Sequence, residues 1–111
     1  MQRSDTFIHD DLVKILIDPA IYLRVKRKVS LIAIPKHYIL RSGPVVFECS
    51  LSGQILETFI DRLTYYNYEI IQRFYYDQLG FDSTMECYSF YRSINPFMTL
   101  KDSFCLIKLR D

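Results

Sequence analysis

The sequence predicts an α+β fold in one small domain that spans residues 1–111. Half of the 111 residues are hydrophobic and 24% are charged, a composition typical of an ordered globular chain with one modest core. Between Ile21 and Ala33 apolar and polar residues alternate, as in a half-buried strand. From Ser52 onward apolar residues recur at helical spacing instead.

The N-terminal part, residues 1–44, is basic and is predicted to form an antiparallel β layer. All charged side chains between Ala20 and Pro44 are basic, namely Arg24, Lys26, Arg27, Lys28, Lys36 and Arg41. The alternation from Ile21 to Ala33 places Arg24, Lys26 and Lys28 on the exposed face of a strand. Arg27 interrupts the apolar face, so the segment is either one strand with a bend or bulge, which we favour, or two strands. No Gly, Asn or Asp there supplies the positive φ of a two-residue turn.

Residues 11–18 fit two alternatives. They form either a short helix capped by Asp10 or a strand that stops at Asp18 and Pro19. A proline disfavours the helical conformation of the residue before it, so the element ends at Asp18 in both cases.

The C-terminal part, residues 45–111, is predicted to run from a strand through helices to a second strand. The first strand is Val45–Leu51 and the last is Phe104–Leu109, and we expect them to pair as neighbours with the helices on one face. The first predicted helix carries one apolar stripe, formed by Ile55, Leu56, Phe59, Ile60 and Leu63.

Two further helices are predicted from their end signals. Asn67 caps the second helix, and Gly80 ends it. Ser83 and Glu86 have the spacing of a capping box, which starts the third helix, and Pro96 ends that helix.

This C-terminal part resembles the LysM-like module of phage tail and baseplate proteins, including baseplate wedge proteins. The resemblance rests on short motifs: strand Val45–Leu51, the turn Ser52–Gly53, the helix from Gln54, the helix that runs into Asn95–Pro96–Phe97, Leu100, and Leu106–Ile107 in the last strand. It implies a β-α-α-β unit with two antiparallel strands, and thus two helices where the periodicity predicts three.

Tyrosine is concentrated in the helical half, which holds seven of nine tyrosines. Tyr75, Tyr88 and Tyr91 lie on apolar stripes and are predicted to be core residues. The remaining four cannot all face inward, and tyrosine is enriched at protein interfaces. The candidate partner-binding residues are Tyr65, Tyr66, Tyr68, Tyr76, Asn95, Pro96 and Phe97. The alternative is that a chain without Trp uses tyrosine to fill its core.

The basic face of Arg24, Lys26 and Lys28, with Tyr22 beside it, is a candidate nucleic-acid surface. Lysine and arginine also protect sheet edges against strand addition, and the net charge of the chain is only +1. We favour a solvated or protein-facing surface and do not expect nucleic acid as the partner.

No catalytic or metal-binding set is predicted. Cys49, Cys87 and Cys105 lack CxxC spacing and each lies in an apolar pattern, which favours reduced, buried thiols. His9–Asp10–Asp11 looks like the start of a metal site, but the only other histidine is His37. We therefore expect no metal, no cofactor and no enzymatic activity.

The resemblance and the tyrosines together predict a structural component of a phage tail or baseplate that docks proteins. Its partners would be other tail or baseplate proteins in the virion, after synthesis in the host cytoplasm. Peptidoglycan is a further ligand that the resemblance alone implies. The alternatives are a host-takeover inhibitor that binds a bacterial protein and a small nucleic-acid-binding module. No membrane association is expected, because apolar runs such as Leu31–Ile34 fall far short of the roughly 18 residues of a span.

Overall fold

The computed structural model describes residues 13–36 and 40–110, and within these ranges it contains five strands and three helices. In chain order they are β1 (Val13–Ile17), α1 (Pro19–Lys26), β2 (Leu31–Pro35), β3 (Gly43–Cys49), β4 (Ile55–Asn67), α2 (Tyr68–Tyr75), α3 (Thr84–Ile94) and β5 (Ser103–Leu109). The strands form one sheet in the order β1-β3-β4-β5-β2. β1 is parallel to β3, and the other neighbours are antiparallel. The predicted α+β fold class is confirmed.

The long strand predicted from Ile21 to Ala33 is wrong, because its first part is helical. α1 begins where the Asp18 carboxylate accepts a hydrogen bond from the Ala20 N–H at 2.8 Å. Its buried residues are Ile21, Tyr22 and Val25. Their i, i+1, i+4 spacing is a helical stripe that coincides in part with period-two alternation. The predicted N-terminal β layer is also wrong, since β1 and β2 lie at opposite edges of the sheet.

The helix predicted over Ile55–Leu63 is wrong as well, because this segment is part of the 13-residue strand β4. β4 pairs with β3 as a hairpin, and the turn contains Gly53 at φ 75°. A bulge lies between Ile60 and Arg62. The extra residue puts Ile60 and Leu63 on the same face, so an i, i+3 spacing arises within a strand. The bulge therefore produces an apolar spacing that is also typical of a helix.

Most of the remaining elements agree with the sequence prediction, although the Asn67 side chain makes no capping hydrogen bond and α2 ends at Tyr75, before Gly80. Of the two alternatives for residues 11–18, the strand is right for Val13–Ile17, and residues 11 and 12 lie outside the described residues. The strand near Val45–Leu51 is also right. At the start of α3, the Ser83 Oγ accepts a hydrogen bond from the Glu86 N–H at 3.1 Å, which confirms the capping box. One pairing is wrong: β4 lies between β3 and β5, so the strands near Val45–Leu51 and Phe104–Leu109 are not neighbours.

The sheet has a covered half and an open half. The covered half consists of β2, β5 and residues 62–67 of β4. There Phe104 contacts rings from α2 and α3 on what we call the helical face, while Cys105 and Ile107 are buried on the other face. The open half consists of β1, β3 and residues 55–60 of β4. Its helical face carries an exposed Leu16 and a Lys14–Glu48 ion pair.

An aromatic cluster holds α2 and α3 on the covered half. The rings of Tyr68, Tyr91 and Phe104 are mutually in contact, with centroids 5.2 to 5.9 Å apart. Phe81 and Phe90 extend the cluster, each in contact with Tyr91. Such tilted and edge-on pairs stabilise a core beyond the area that they bury.

Candidate functional site

The turn that ends α3 presents Phe97 to solvent. Asn95 caps the last turn of the helix through its backbone N–H. The Met98 N–H donates to the Asn95 carbonyl at 3.0 Å, and the Met98 side chain is buried. The Arg92 Nε donates to the Pro96 carbonyl at 2.8 Å. Phe97 lies between these hydrogen-bonded residues and is 96% exposed. An ordered turn therefore presents a solvent-exposed aromatic ring.

A cleft of about 560 Å³ lies beside this turn. Its other walls are Pro35 and Lys36, at the end of β2, and the start of β5. The Lys36 N–H donates to the Ser103 carbonyl at 3.0 Å, which fixes the end of β2 against β5. The Lys36 Nζ also lies 5.3 Å from the ring centroid of Tyr65, which is exposed.

We call this surface the docking surface, and it consists of Pro35, Lys36, Tyr65, Asn95, Pro96 and Phe97. Tyr65 does not line the cleft itself and is connected to it through Lys36, whereas the Asn-Pro-Phe turn forms one of its walls. Pro35 and Lys36 were not predicted to belong to the site. The available signal was Pro35 itself, since proline within a strand marks an edge strand. The sequence does not show that this edge strand lies beside the turn of Asn95 to Phe97, because the tertiary fold determines that contact.

The other three predicted tyrosines do not join the docking surface. Tyr68 is fully buried, and its hydroxyl donates to the Cys87 Sγ at 3.5 Å, so its assignment to a partner surface is wrong. Burial raises the pKa of Tyr68 far above its ordinary value. Tyr66 and Tyr76 are partly buried and pack against the core. For these positions the alternative, that tyrosine fills the core, is the better description.

The predicted basic face does not exist as a surface. Arg24 lies in α1, with its guanidinium carbon 4.5 Å from the Phe81 ring centroid and 5.1 Å from that of Phe90. The Arg24 Nη2 also donates to the Leu79 carbonyl at 3.0 Å. Lys26 is the last residue of α1 and is exposed, as is Lys28 in the following turn. Arg24 therefore stabilises the link between α2 and α3.

The predicted burial of the three cysteines is confirmed. Burial raises the pKa of Cys105 to about 11 and that of Cys87 above its ordinary value. Hydrogen bonds with Ser52 instead lower the pKa of Cys49. Cys87 and Cys105 thus stay protonated near neutral pH and lack the thiolate character of a nucleophile.

Metal and membrane features are limited in the described ranges. Residues 13–36 and 40–110 contain no group of three or more His, Cys, Asp or Glu side chains arranged to hold a metal ion. His9–Asp10–Asp11 and His37 lie outside the described residues. No helix in the described part of the chain has the length and apolar character needed to cross a bilayer.

No protein-family model, curated protein or solved structure matches the chain.

Proposed function

We propose that the protein is a protein-docking module that serves as a structural component of a phage tail or baseplate. The observation that carries this proposal is Phe97. A ring exposed to 96% buries almost no apolar area within its own chain. Rings of this kind act as anchors when a partner supplies the pocket.

The turn around Phe97 is organised before any partner arrives. Its backbone is held by the hydrogen bonds of Asn95 and Pro96. The next residues are held too, since the Thr99 N–H and hydroxyl both donate to the Asp102 carboxylate, at 3.1 and 2.9 Å. An ordered turn loses little conformational entropy on binding, which favours affinity.

The cleft beside Phe97 has the composition of an interface. Its lining combines the apolar side chains of Met98 and Phe104 with the charged side chains of Lys36 and Asp102. Interfaces commonly combine an apolar centre with a polar rim. The partner is thus a protein that inserts an apolar segment into the cleft and receives Phe97 in a pocket of its own.

The phage setting rests on the LysM resemblance. β4 and β5 are antiparallel neighbours, and two helices, α2 and α3, connect them. This is the β-α-α-β order that the resemblance implies, although it begins at β4 instead of Val45–Leu51. The topology supports the proposal without specifying the phage, the partner or the copy number.

Mass spectrometry of purified virions tests the setting, and a point variant tests the surface. We expect the protein in tail or baseplate fractions at a fixed ratio to neighbouring proteins. Phe97→Ser should abolish its incorporation without changing its thermal unfolding. Leu51→Ser is the matched control, since Leu51 is 83% exposed in the β3–β4 turn, away from the cleft.

Two outcomes would contradict the proposal. One is absence of the protein from virions together with a soluble one-to-one complex with a host protein, which is the behaviour of a host-takeover inhibitor. The other is normal incorporation of the Phe97→Ser variant. The nucleic-acid alternative has lost its main support, because Arg24, Lys26 and Lys28 do not share a face.

A further inference from the structure

A second cleft, of about 460 Å³, lies on the helical face of the covered half, beside the end of α2. Arg62 on β4 and Lys108 on β5 both line it and are direct cross-strand partners. Neither forms an ion pair with any other residue in the described part of the chain. Like charges directly opposite each other destabilise a sheet. The fold therefore retains a concentration of positive charge that costs stability.

The bulge in β4 places Arg62 in this cleft. Ile60 pairs with Leu109 and faces the buried side of the sheet, whereas Arg62 pairs with Lys108 across the bulge at Asp61. In a regular strand residues two apart share a face, so Arg62 would follow Ile60 into the core. The extra residue turns Arg62 to the helical face instead. Bulges often redirect a side chain at functional sites.

The rest of the cleft is rich in hydrogen-bonding groups. The hydroxyls of Tyr66 and Tyr75 are 3.3 Å apart, and their rings are in contact with centroids 5.7 Å apart. Ser30, Thr64 and Gln78 add two hydroxyls and an amide to the lining. The hydrogen bond with Tyr66 raises the pKa of Tyr75, so the Tyr75 phenol remains protonated near neutral pH.

We propose that this cleft binds a phosphate monoester of a small polar molecule, with the phosphate between Arg62 and Lys108. Arginine and lysine are the side chains that bind phosphate most strongly, and a bound dianion would relieve the repulsion between them. The cleft falls within the usual size range of small-molecule sites and is far larger than one phosphate group. The body of the ligand lies along the Tyr66–Tyr75 pair and Gln78. None of these residues belongs to the docking surface, so the inference does not depend on the proposed function.

The test is a titration of the full chain with inorganic phosphate, glucose 6-phosphate, AMP and glucose. Calorimetry gives the dissociation constants, and amide chemical shifts locate the site, at an ionic strength held near 0.1 M. We expect glucose 6-phosphate or AMP to bind more tightly than inorganic phosphate, with shifts centred on Arg62 and Lys108, and glucose not to bind.

Three variants separate the site from general charge effects. Arg62→Gln and Lys108→Gln should each weaken binding by about tenfold or more, as expected for the loss of one charged hydrogen bond. Arg73→Gln is the matched control and should leave the dissociation constant unchanged, because Arg73 lies exposed on α2 beside Glu69.

Arg62→Glu provides a check that does not depend on the choice of ligand. It places opposite charges on paired residues, so we expect a higher midpoint of thermal unfolding together with loss of binding. The inference is overturned if neither monoester binds, if inorganic phosphate binds as tightly as both, or if binding survives in Arg62→Gln and Lys108→Gln.

Discussion

The covered and open halves of the sheet bury apolar side chains to different extents. In the covered half β5 is buried on both faces, and aromatic rings from α2 and α3 lie against it. In the open half the face opposite the helical face is buried through Ile15, Val45 and Phe47, whereas the described part of the helical face buries Val46 alone. Stability and rigidity should therefore be concentrated in the covered half, which carries both the docking surface and the proposed phosphate cleft.

The largest expected contrast comes from one phenylalanine in each half. Phe104→Ala removes a ring that is 1% exposed and should lower the free energy of unfolding by about 3 to 5 kcal/mol. Phe59, on the helical face of the open half, is only partly buried, and its main neighbour is the Arg110 guanidinium at 3.7 Å. Phe59→Ala should cost about 1 kcal/mol. Urea unfolding of both variants measures the difference, and equal losses would contradict the division into halves.

The pH dependence of stability should also differ between the halves. Burial raises the pKa of Cys105 to about 11 from an ordinary value of 9.0. The unfolded chain thus begins to release this proton near pH 9, while the folded chain holds it until about pH 11. The stability from the neutral thiol is complete below pH 9 and is lost as the pH rises through 11. The pKa of Cys87 is raised by burial in the same direction.

Cys49 at the end of β3 should behave in the opposite sense, because hydrogen bonds with Ser52 lower its pKa. Its contribution is present at high pH and is lost as the pH falls through the folded-state pKa. The urea midpoint measured from pH 8 to 11 should therefore fall less steeply for Cys105→Ala than for the unchanged chain, and more steeply for Cys49→Ala. Identical slopes for all three proteins would refute this assignment.

Two arginines provide a smaller contrast of the same kind. Arg24 lies over two rings of the covered half and donates to the Leu79 carbonyl, and it is partly buried. Arg24→Ala should cost about 2 kcal/mol. Arg110 lies exposed over Phe59, with its Nε 3.0 Å from the Asp61 carboxylate. Arg110→Ala should cost about 0.5 to 1 kcal/mol, and this loss should shrink in 1 M salt while that of Arg24→Ala persists.

Sequence-based prediction succeeded where the residues that determine an element lie close together in the chain. The capping box of Ser83, the break at Gly80 and the apolar run of β5 were all recognised, because each depends on residues within one turn or one strand. It failed where a distant contact decides the structure. α1 lies against the sheet through a stripe that also fits alternation, and the bulge at Asp61 exists only because β4 pairs with β5. No local sequence pattern predicts the register between β4 and β5.

In the candidate site, too, local signals were predicted correctly and contacts between distant residues were missed. Phe97 was found because an Asn-Pro-aromatic sequence ends a helix, which is a local signal. The neighbours of Phe97 across the cleft come from β2, whose place beside β5 is a matter of topology. Arg62 and Lys108 were missed entirely, since 46 positions separate them in the sequence and only pairing places them opposite each other.

The smallest expected effect concerns two helix ends that close with the same hydrogen-bond pattern. Beyond α2, in the covered half, Gly80 at φ 94° donates to the Asp77 carbonyl, and the Phe81 N–H donates to the Tyr76 carbonyl. Beyond α1, Lys28 at φ 64° donates to the Val25 carbonyl, and the Val29 N–H to that of Arg24. Both are Schellman motifs, in which glycine is favoured at the left-handed position.

Lys28 therefore occupies a position where a side chain is strained. Lys28→Gly should raise the free energy of unfolding by about 0.5 to 1 kcal/mol, with relief of the left-handed strain exceeding the added freedom of the unfolded chain. Gly80→Ala should lower it by about 1 kcal/mol, because alanine is strained at φ 94°, while its methyl group would make only an ordinary contact with the Arg24 guanidinium at 3.5 Å. Thermal unfolding of both variants decides the matter: if Lys28→Gly is destabilising, the strain at that helix end is smaller than the entropy that glycine restores to the unfolded chain.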